Sequence, residues 1–318
     1  MRNILYLLET NEEQRQQLQK RFADCSFTFK SKHEVSDEEI RQAECIIGNL
    51  LLNQLDLCEN AKLMQLGSAG SDAYAAALNE SVTLCNASGC YGPAISEYMI
   101  GVCLSLMLRL PSYRDQQHLR AWQNAGKVSS ILGSKVLIVG LGDIGSQFAI
   151  KMRALGAKIT GIRRNTADQP DFVDAIAALD QLDELLPEMD IIASCLPNSK
   201  ATEKVFTAKQ FKLMKDAAIF INVGRGQAVD TDALCDALKA HEIYGAALDV
   251  VDPEPLPLNH PLWNCGNLLL TPHIAGGSNL KLTTELIYTL VSDNLEAYLK
   301  GEPLKNVVDR ATGYRKHQ

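Results

Sequence analysis

The sequence lacks an apolar run long enough to cross a bilayer. Its most apolar stretch, Met99 to Leu108, contains Gly101 and Ser105 and stops at Arg109, about half the length a spanning helix needs. It reads as a buried helix. An excess of basic charge is also missing. With 38 acidic against 31 basic residues the formal net charge is −7, so there is no general attraction to phosphate backbones or anionic lipid, and neither nucleic acid nor membrane is expected as a partner. The nine cysteines include no CxxC, and the closest pair is Cys85 and Cys90, so neither a metal site nor a disulfide framework is indicated. They read as buried thiols in a reducing compartment. The opening MRNILYLLETNEEQ has no extended apolar region followed by a small-residue cleavage site, so the chain is expected to stay in the cytoplasm. Internal repeats and low-complexity linkers are missing too, which excludes repeat architectures.

What is present is ordinary globular composition, 46% hydrophobic and 22% charged, over 318 residues, a length that favours two domains. Short apolar runs alternate with segments of helical period, the pattern of βαβ units and a parallel sheet. The pattern occurs twice. The first series comprises strands at Asn3–Leu8, Phe27–Lys30, Cys45–Asn49, Leu63–Leu66 and Val82–Cys85, with a helix at Glu12–Ala23. The second comprises Lys135–Gly140, Lys158–Ile162, Asp190–Leu196, Ala218–Val223, Ala246–Val250 and Leu268–Leu270. Between them Ile95–Gly126 reads as one connecting helix. A final helical pattern, Asn279–Leu299, ends at Gly301 and Pro303 and has no strand following it, so it is expected to return to the first series. The fold class is therefore α/β with two parallel-sheet domains, 1–95 with 279–318 and 96–278, and hinges near Ile95 and Ser278.

The sharpest local signal is KVLIVGLGDIGSQF. Gly140, Gly142 and Gly145 form GxGxxG after a strand and at a helix start, the context of a dinucleotide-binding turn. At the end of the next strand, where a carboxylate would accept from the ribose hydroxyls of NAD, stand Arg163 and Arg164. An arginine pair suits a 2′-phosphate, which favours NADP(H) and leaves NAD(H) possible; the alternative is two solvated arginines with the choice made elsewhere.

Such a fold binds a cofactor without fixing the reaction, so other residues must supply it. Arg225 follows a strand between Gly224 and Gly226, and a guanidinium there can hold a carboxylate or ketone oxygen; a loop ion pair is the alternative. Asp249 ends a strand, and Glu254 sits five residues later between two prolines. His273 follows a strand and Pro272 and precedes Ala275, Gly276 and Gly277. Its imidazole can donate to a carbonyl oxygen or take a proton from a hydroxyl, and Glu254 could orient the ring. His33, His118, His241 and His317 lack comparable settings, and His260 in HPLW is the one other histidine of interest.

Together and in this order, the segments GSAGSD, GLGDIG, CLPNSKAT, MKDAAIFINVGRG, ALDVVDPEP and PLWNCGNLLLTPHIAGG resemble the D-isomer-specific 2-hydroxyacid dehydrogenases over nearly the whole chain. The resemblance implies a flavodoxin-like substrate domain joined to an NAD(P)-binding Rossmann domain. It implies Arg225, Glu254 and His273 as the catalytic set, with Arg225 and His273 on the substrate. Asp249 would contact the nicotinamide carboxamide, and the Ala69 and Gly70 amides beside Ser68 would hold the substrate carboxylate. Asp143, Ile144, Cys195, Leu196, Pro197, Thr202, Val223, Gly224 and Gly276 would line the cofactor. Ser68 replaces a frequent glycine, and NASGCYG departs from the family loop, so Cys90 and Tyr91 either help choose the substrate or simply pack. Arg163 in place of the usual acid matches the NADPH-preferring glyoxylate and hydroxypyruvate reductases, which ranks a small 2-oxoacid first. The alternatives are an NAD-dependent 3-phosphoglycerate or branched 2-hydroxyacid dehydrogenase and a dinucleotide-sensing corepressor. The resemblance also implies a homodimer through Ile95–Leu108, Leu110, Tyr113, Leu119 and Trp122, residues that equally suit ordinary core.

Overall fold

A computed structural model describes residues 1–277 and 280–315; Ser278 and Asn279, with the hinge expected there, and residues 316–318, including His317, lie outside the described residues. The chain divides into two compact units, Met1–Tyr91 with Ser278–Gln318 and Gly92–Gly277.

In the first unit the order is β1 (Arg2–Tyr6), α1 (Glu12–Arg21), β2 (Cys25–Phe29), α2 (Asp37–Gln42), β3 (Cys45–Ile47), β4 (Leu63–Gln65), α3 (Asp72–Ala77) and β5 (Thr83–Cys85). The five strands form one parallel sheet in the order β2-β1-β3-β4-β5, a flavodoxin-like arrangement. Successive side chains of a strand face opposite ways, so a sheet covered on both sides needs apolar residues at every position. In β1, Leu5 joins Ile40, Ala75 and Leu84 on one face, while Ile4 and Tyr6 join Leu18 on the other. Helix starts follow capping chemistry: Asn11 and Ser36 each accept from the backbone three residues on.

The second unit runs α4 (Gly92–Met107), α5 (Leu110–His118), β6 (Lys135–Val139), α6 (Asp143–Ala154), β7 (Lys158–Ile162), β8 (Ala175–Ala177), α7 (Leu182–Leu185), β9 (Ile191–Ser194), α8 (Ala208–Leu213), β10 (Ile219–Asn222), α9 (Thr231–Lys239), β11 (Gly245–Leu248) and β12 (Leu268–Leu270). Its seven strands are all parallel, in the order β12-β11-β10-β9-β6-β7-β8. The order reverses between β6 and β9, the switch point at which doubly wound sheets bind ligands.

The segment 95–126 is not one helix: α4 and α5 meet at a 66° bend, with Arg109 in the left-handed region (φ +56°) between them. Pro111 is the cause legible in the chain, because a residue without an N–H belongs in the first turn of a helix, and so it restarts one. Strand β8, three residues at the sheet edge, was not expected. No single helix among the described residues is long and apolar enough to cross a membrane.

After β12 the chain enters α10 (Lys281–Lys300), whose Ile287, Val291 and Leu295, four residues apart, pack on Ile4, Tyr6 and Leu63 of the first unit. Gly301, at φ +70°, ends it in the left-handed conformation that glycine adopts without strain. Contrary to expectation, strands do follow this helix: β13 (Val308–Asp309) and β14 (Tyr314–Arg315) pair antiparallel, and Val307 bridges to Cys85. Arg310 fastens this tail by donating to the carbonyls of Tyr74, Leu78, Asn79 and Val82.

Candidate active site

The glycine turn lies at the switch point. Gly140 has φ +102°, and a Cβ there would stand 2.7 Å from the Cys195 carbonyl oxygen. Glycine is required because two backbones touch. A Cβ on Gly145 would lie 2.3 Å from the Gly140 oxygen, so α6 could not approach β6 this closely with any larger residue. At Gly142 the situation is opposite: a Cβ would meet no protein atom within 4 Å. The turn is thus tight where protein meets protein and open where the first amides of a twelve-residue helix face outward, which fits a bound pyrophosphate.

The neighbours of that turn divide into two groups. Ile144, Pro197 and Gly276 are half-buried, and Leu196, Val223 and Gly224 are buried in the loops after their strands. Asp143 and Thr202 have their side chains engaged within the protein. Asp143 Oδ2 accepts from the Gly92 N–H at 3.0 Å, so its carboxylate serves the start of α4. The Thr202 hydroxyl donates to the Pro197 carbonyl (2.6 Å) and accepts from the Ser199 N–H, closing the loop after β9. Burial pushes the Cys195 thiol up to about 12, so it carries no thiolate. Arg163 leaves β7 with its N–H on the Ala177 carbonyl and is half-buried, while Arg164 is exposed.

Arg225, Glu254 and His273 stand in the loops after β10, β11 and β12, three adjacent strands. The Arg225 loop is held backbone to backbone. A Cβ on Gly224 would lie 2.4 Å from the Leu196 oxygen, and one on Gly226 1.9 Å from the Val251 oxygen. Arg225 Nη1 donates to the Gly224 carbonyl at 2.9 Å, and Asn222 grips both sides of the turn, accepting from the Gly224 N–H and donating to the Arg225 carbonyl. His273 Nδ1 lies 3.0 Å from Glu254 Oε2, with the side chains 51% and 43% exposed. At that exposure the pair contributes little to stability, so its geometry calls for another explanation.

Asp249 supplies the frame of the histidine loop. Although 3% exposed, its carboxylate accepts from Thr271 Oγ1 (2.6 Å) and from the N–H groups of Ile274 (2.8 Å) and Ala275 (2.9 Å), while its carbonyl accepts from the His273 N–H (2.8 Å). A carboxylate has about four acceptor positions, so three are taken by the protein. His273 itself has φ +53°, a conformation that costs a non-glycine residue about 1 kcal/mol or more and persists only when its surroundings enforce it. Thr271 in turn meets the Tyr98 hydroxyl of α4 at 2.7 Å. The sequence reading missed Tyr98 and Thr271. His260 has a structural place: Nδ1 accepts from the Leu262 N–H, and Nε2 lies 3.3 Å from Asp232.

In the first unit every carbonyl of the loop 67–70 is tied inward. Gly67 O accepts from the Tyr91 hydroxyl, Ser68 O from the Ala87 N–H, Ala69 O from Asn86 Nδ2 and Gly70 O from the Ser68 hydroxyl. Asn49 adds bonds to the Gly67 N–H and to Ser68 Oγ. Tyr91 therefore braces the loop with its hydroxyl, and Cys90 is buried.

Comparison with known proteins agrees with this arrangement. Residues 100–275 match the model of the family described as D-isomer specific 2-hydroxyacid dehydrogenase, NAD binding domain. A glyoxylate reductase of Thermofilum pendens is 32% identical over 255 residues, 78% of this chain and 75% of that one. A glycerate dehydrogenase of Methylorubrum extorquens is 29% identical over 286 residues, 86% and 87% of the two chains. The crystal structure of a D-isomer specific 2-hydroxyacid dehydrogenase family protein from Aeromonas salmonicida superposes with a TM-score of 0.87 at 30% identity, covering 97% of this chain and 99% of that one. Taken with two parallel sheets and a glycine turn at the switch point of the larger one, these matches place the chain in the D-isomer-specific 2-hydroxyacid dehydrogenase family, NAD(P)-dependent oxidoreductases acting on CH–OH groups.

Proposed function

We propose that the protein reduces a small 2-oxoacid, of the glyoxylate or hydroxypyruvate type, to the D-2-hydroxyacid with NADPH. The observation that carries this reading is the 3.0 Å His273–Glu254 pair one strand from Arg225, at the carboxyl ends of the nucleotide-binding sheet. When bound, the reduced nicotinamide supplies the hydride. With Nδ1 committed to Glu254, the other ring nitrogen of His273 is the one left to protonate the developing alkoxide. Arg225 stabilises the same oxygen or the adjacent carboxylate with a guanidinium whose Nη1 is anchored on Gly224. In the first unit, the amides of Ser68, Ala69 and Gly70 oppose carbonyls that are all bonded inward, since the two groups of a trans peptide point in opposite directions; that polarity suits the substrate carboxylate. The test is the initial rate of NADPH and NADH oxidation with glyoxylate, hydroxypyruvate, pyruvate and phenylpyruvate. Fastest turnover with NADPH and either glyoxylate or hydroxypyruvate is expected; phenylpyruvate as the best substrate would refute the reading.

The preference for NADPH rests on Arg163 and Arg164 after β7, where a guanidinium pairs with a 2′-phosphate by charge-assisted bonds. Arg163→Asp replaces that attraction with repulsion. It is expected to lower kcat/KM for NADPH by about 100-fold, close to the roughly 3 kcal/mol of a lost charged contact. NADH should be used as well as before or better. Unchanged discrimination would remove the argument for NADP(H).

We also infer a homodimer in solution. The inward part of the expected interface, Ile95, Met99 and Cys103, is buried in the unit, but Leu108, Leu110, Tyr113, Leu119 and a fully exposed Trp122 follow it as an apolar strip. Strips of this kind on soluble proteins mark partner surfaces. Sedimentation should give twice the 34.9 kDa chain mass, and Leu119→Glu with Trp122→Glu should give monomers. A monomeric parent at micromolar concentration would contradict it.

A further inference from the structure

We propose that Tyr98 and Thr271 are positioning residues for proton transfer, holding through Asp249 the 273–275 loop in the backbone conformation that sets the His273 ring against Glu254. The assignment rests on the reading of His273 as acid and base. Asp249 as a carboxylate can only accept, so the one hydroxyl proton of Thr271 goes to Oδ1, and the bond between Thr271 and Tyr98 must then be donated by the tyrosine. Burial pushes Tyr98 up to about 12, so it retains the proton it donates at any working pH. The result is a one-way relay from α4, which packs on β10 and β11, through two hydroxyls to a carboxylate that gathers the amides of Ile274 and Ala275.

What makes the relay necessary is His273. A left-handed histidine is not a conformation the chain adopts unaided, and the loop beyond it is Ile-Ala-Gly-Gly, whose one large side chain, Ile274, is 47% exposed and packs too little to enforce it. The enforcing bonds converge on Asp249, whose carbonyl takes the His273 amide and whose side chain takes the next two. Thr271, bonded in turn to Tyr98, donates to Oδ1, the same oxygen that takes the Ile274 amide, and so ties the Asp249 carboxylate to α4 as well as to the loop it holds. Neither hydroxyl need touch the reacting atoms for its loss to be felt, because a proton donor displaced by an ångström is a poorer catalyst.

Thr271→Val keeps the shape and removes the hydroxyl; Tyr98→Phe removes the other; Thr271→Ser keeps the hydroxyl and removes the methyl. We expect kcat to fall about tenfold in the Val and Phe variants, with the oxoacid KM within about twofold of the parent, and Thr271→Ser to recover most of the loss. Hydrogen–deuterium exchange of the 271–277 segment in the cofactor-free protein is expected to be about tenfold faster in the Val and Phe variants and parental in Thr271→Ser. Parental kcat in Thr271→Val overturns the proposal. So does a lower kcat with unchanged exchange, since the effect would not pass through the loop, and so does equal loss in the Ser and Val variants, since it would then be packing of the methyl. Near-normal turnover in His273→Gln would instead overturn the acid–base reading beneath it, an observation distinct from all of these.

Discussion

His273→Gln is expected to lower kcat by about 10²- to 10⁴-fold, the range lost when a positioned proton donor is removed, while NADPH affinity measured by fluorescence stays near parental. Glutamine nearly matches imidazole in size, and its amide can still donate to Glu254, so the loop keeps its shape and only proton transfer is removed. A partial control comes from Glu254→Gln, which leaves the imidazole but weakens the hydrogen bond that orients it at 3.0 Å. Its loss should be smaller than that of His273→Gln. If His273→Gln turned over at a near-parental rate, the acid would have to be another group.

The second large effect is expected at Arg225. Arg225→Lys retains the positive charge but loses the planar fork, and the shorter ammonium cannot both bond Gly224 and reach a substrate oxygen as the guanidinium does. We expect kcat/KM to fall about 10²- to 10³-fold, shared between kcat and KM because the same group binds the ground state and the developing charge. Circular dichroism and melting should be nearly unchanged, since the loop is held chiefly by the Asn222 bonds and the close backbone approaches at Gly224 and Gly226. A rise in KM alone would mean that Arg225 binds the substrate without stabilising the transition state.

Much of this arrangement is legible in the chain for physical reasons. Parallel strands buried on both faces must be continuous apolar runs, and each run the sequence shows in the two series is a strand. At the functional edge β6, β9, β10 and β11 end a residue or more early, whereas β7 and β12 end where expected. Gly140, Cys195, Leu196 and Val223 continue the apolar pattern yet leave the sheet, because there the backbone turns to meet the neighbouring loop. Strand β8 is short, alanine-flanked and at the edge, so nothing in its pattern separates it from a loop. The bend before Pro111 lies in a segment that is apolar at first and then polar and carries no strand signal, so the proline alone marks it.

Candidate site residues that the structure brings to adjacent loops were legible where the residue type stands next to a glycine or proline, as at Arg225, Glu254 and His273. Side-chain direction is not encoded in that way. Asp143 stands in the glycine motif, but its carboxylate turns to Gly92; Thr202 stands in the loop after β9, but its hydroxyl closes on Pro197. Tyr98 lies in a helix whose period marks it only as partly buried, 173 residues from the threonine it bonds. Such partners become visible only when α4 is laid on the sheet.

The most direct measurement is the configuration of the product. The purified protein is incubated with NADPH and hydroxypyruvate, and glycerate is resolved by chiral chromatography, with His273→Gln run in parallel. The D enantiomer alone from the parent, and about 100-fold less or lower still from the variant, is the predicted result. L-glycerate, a racemate, or equal D product from both proteins would contradict the account.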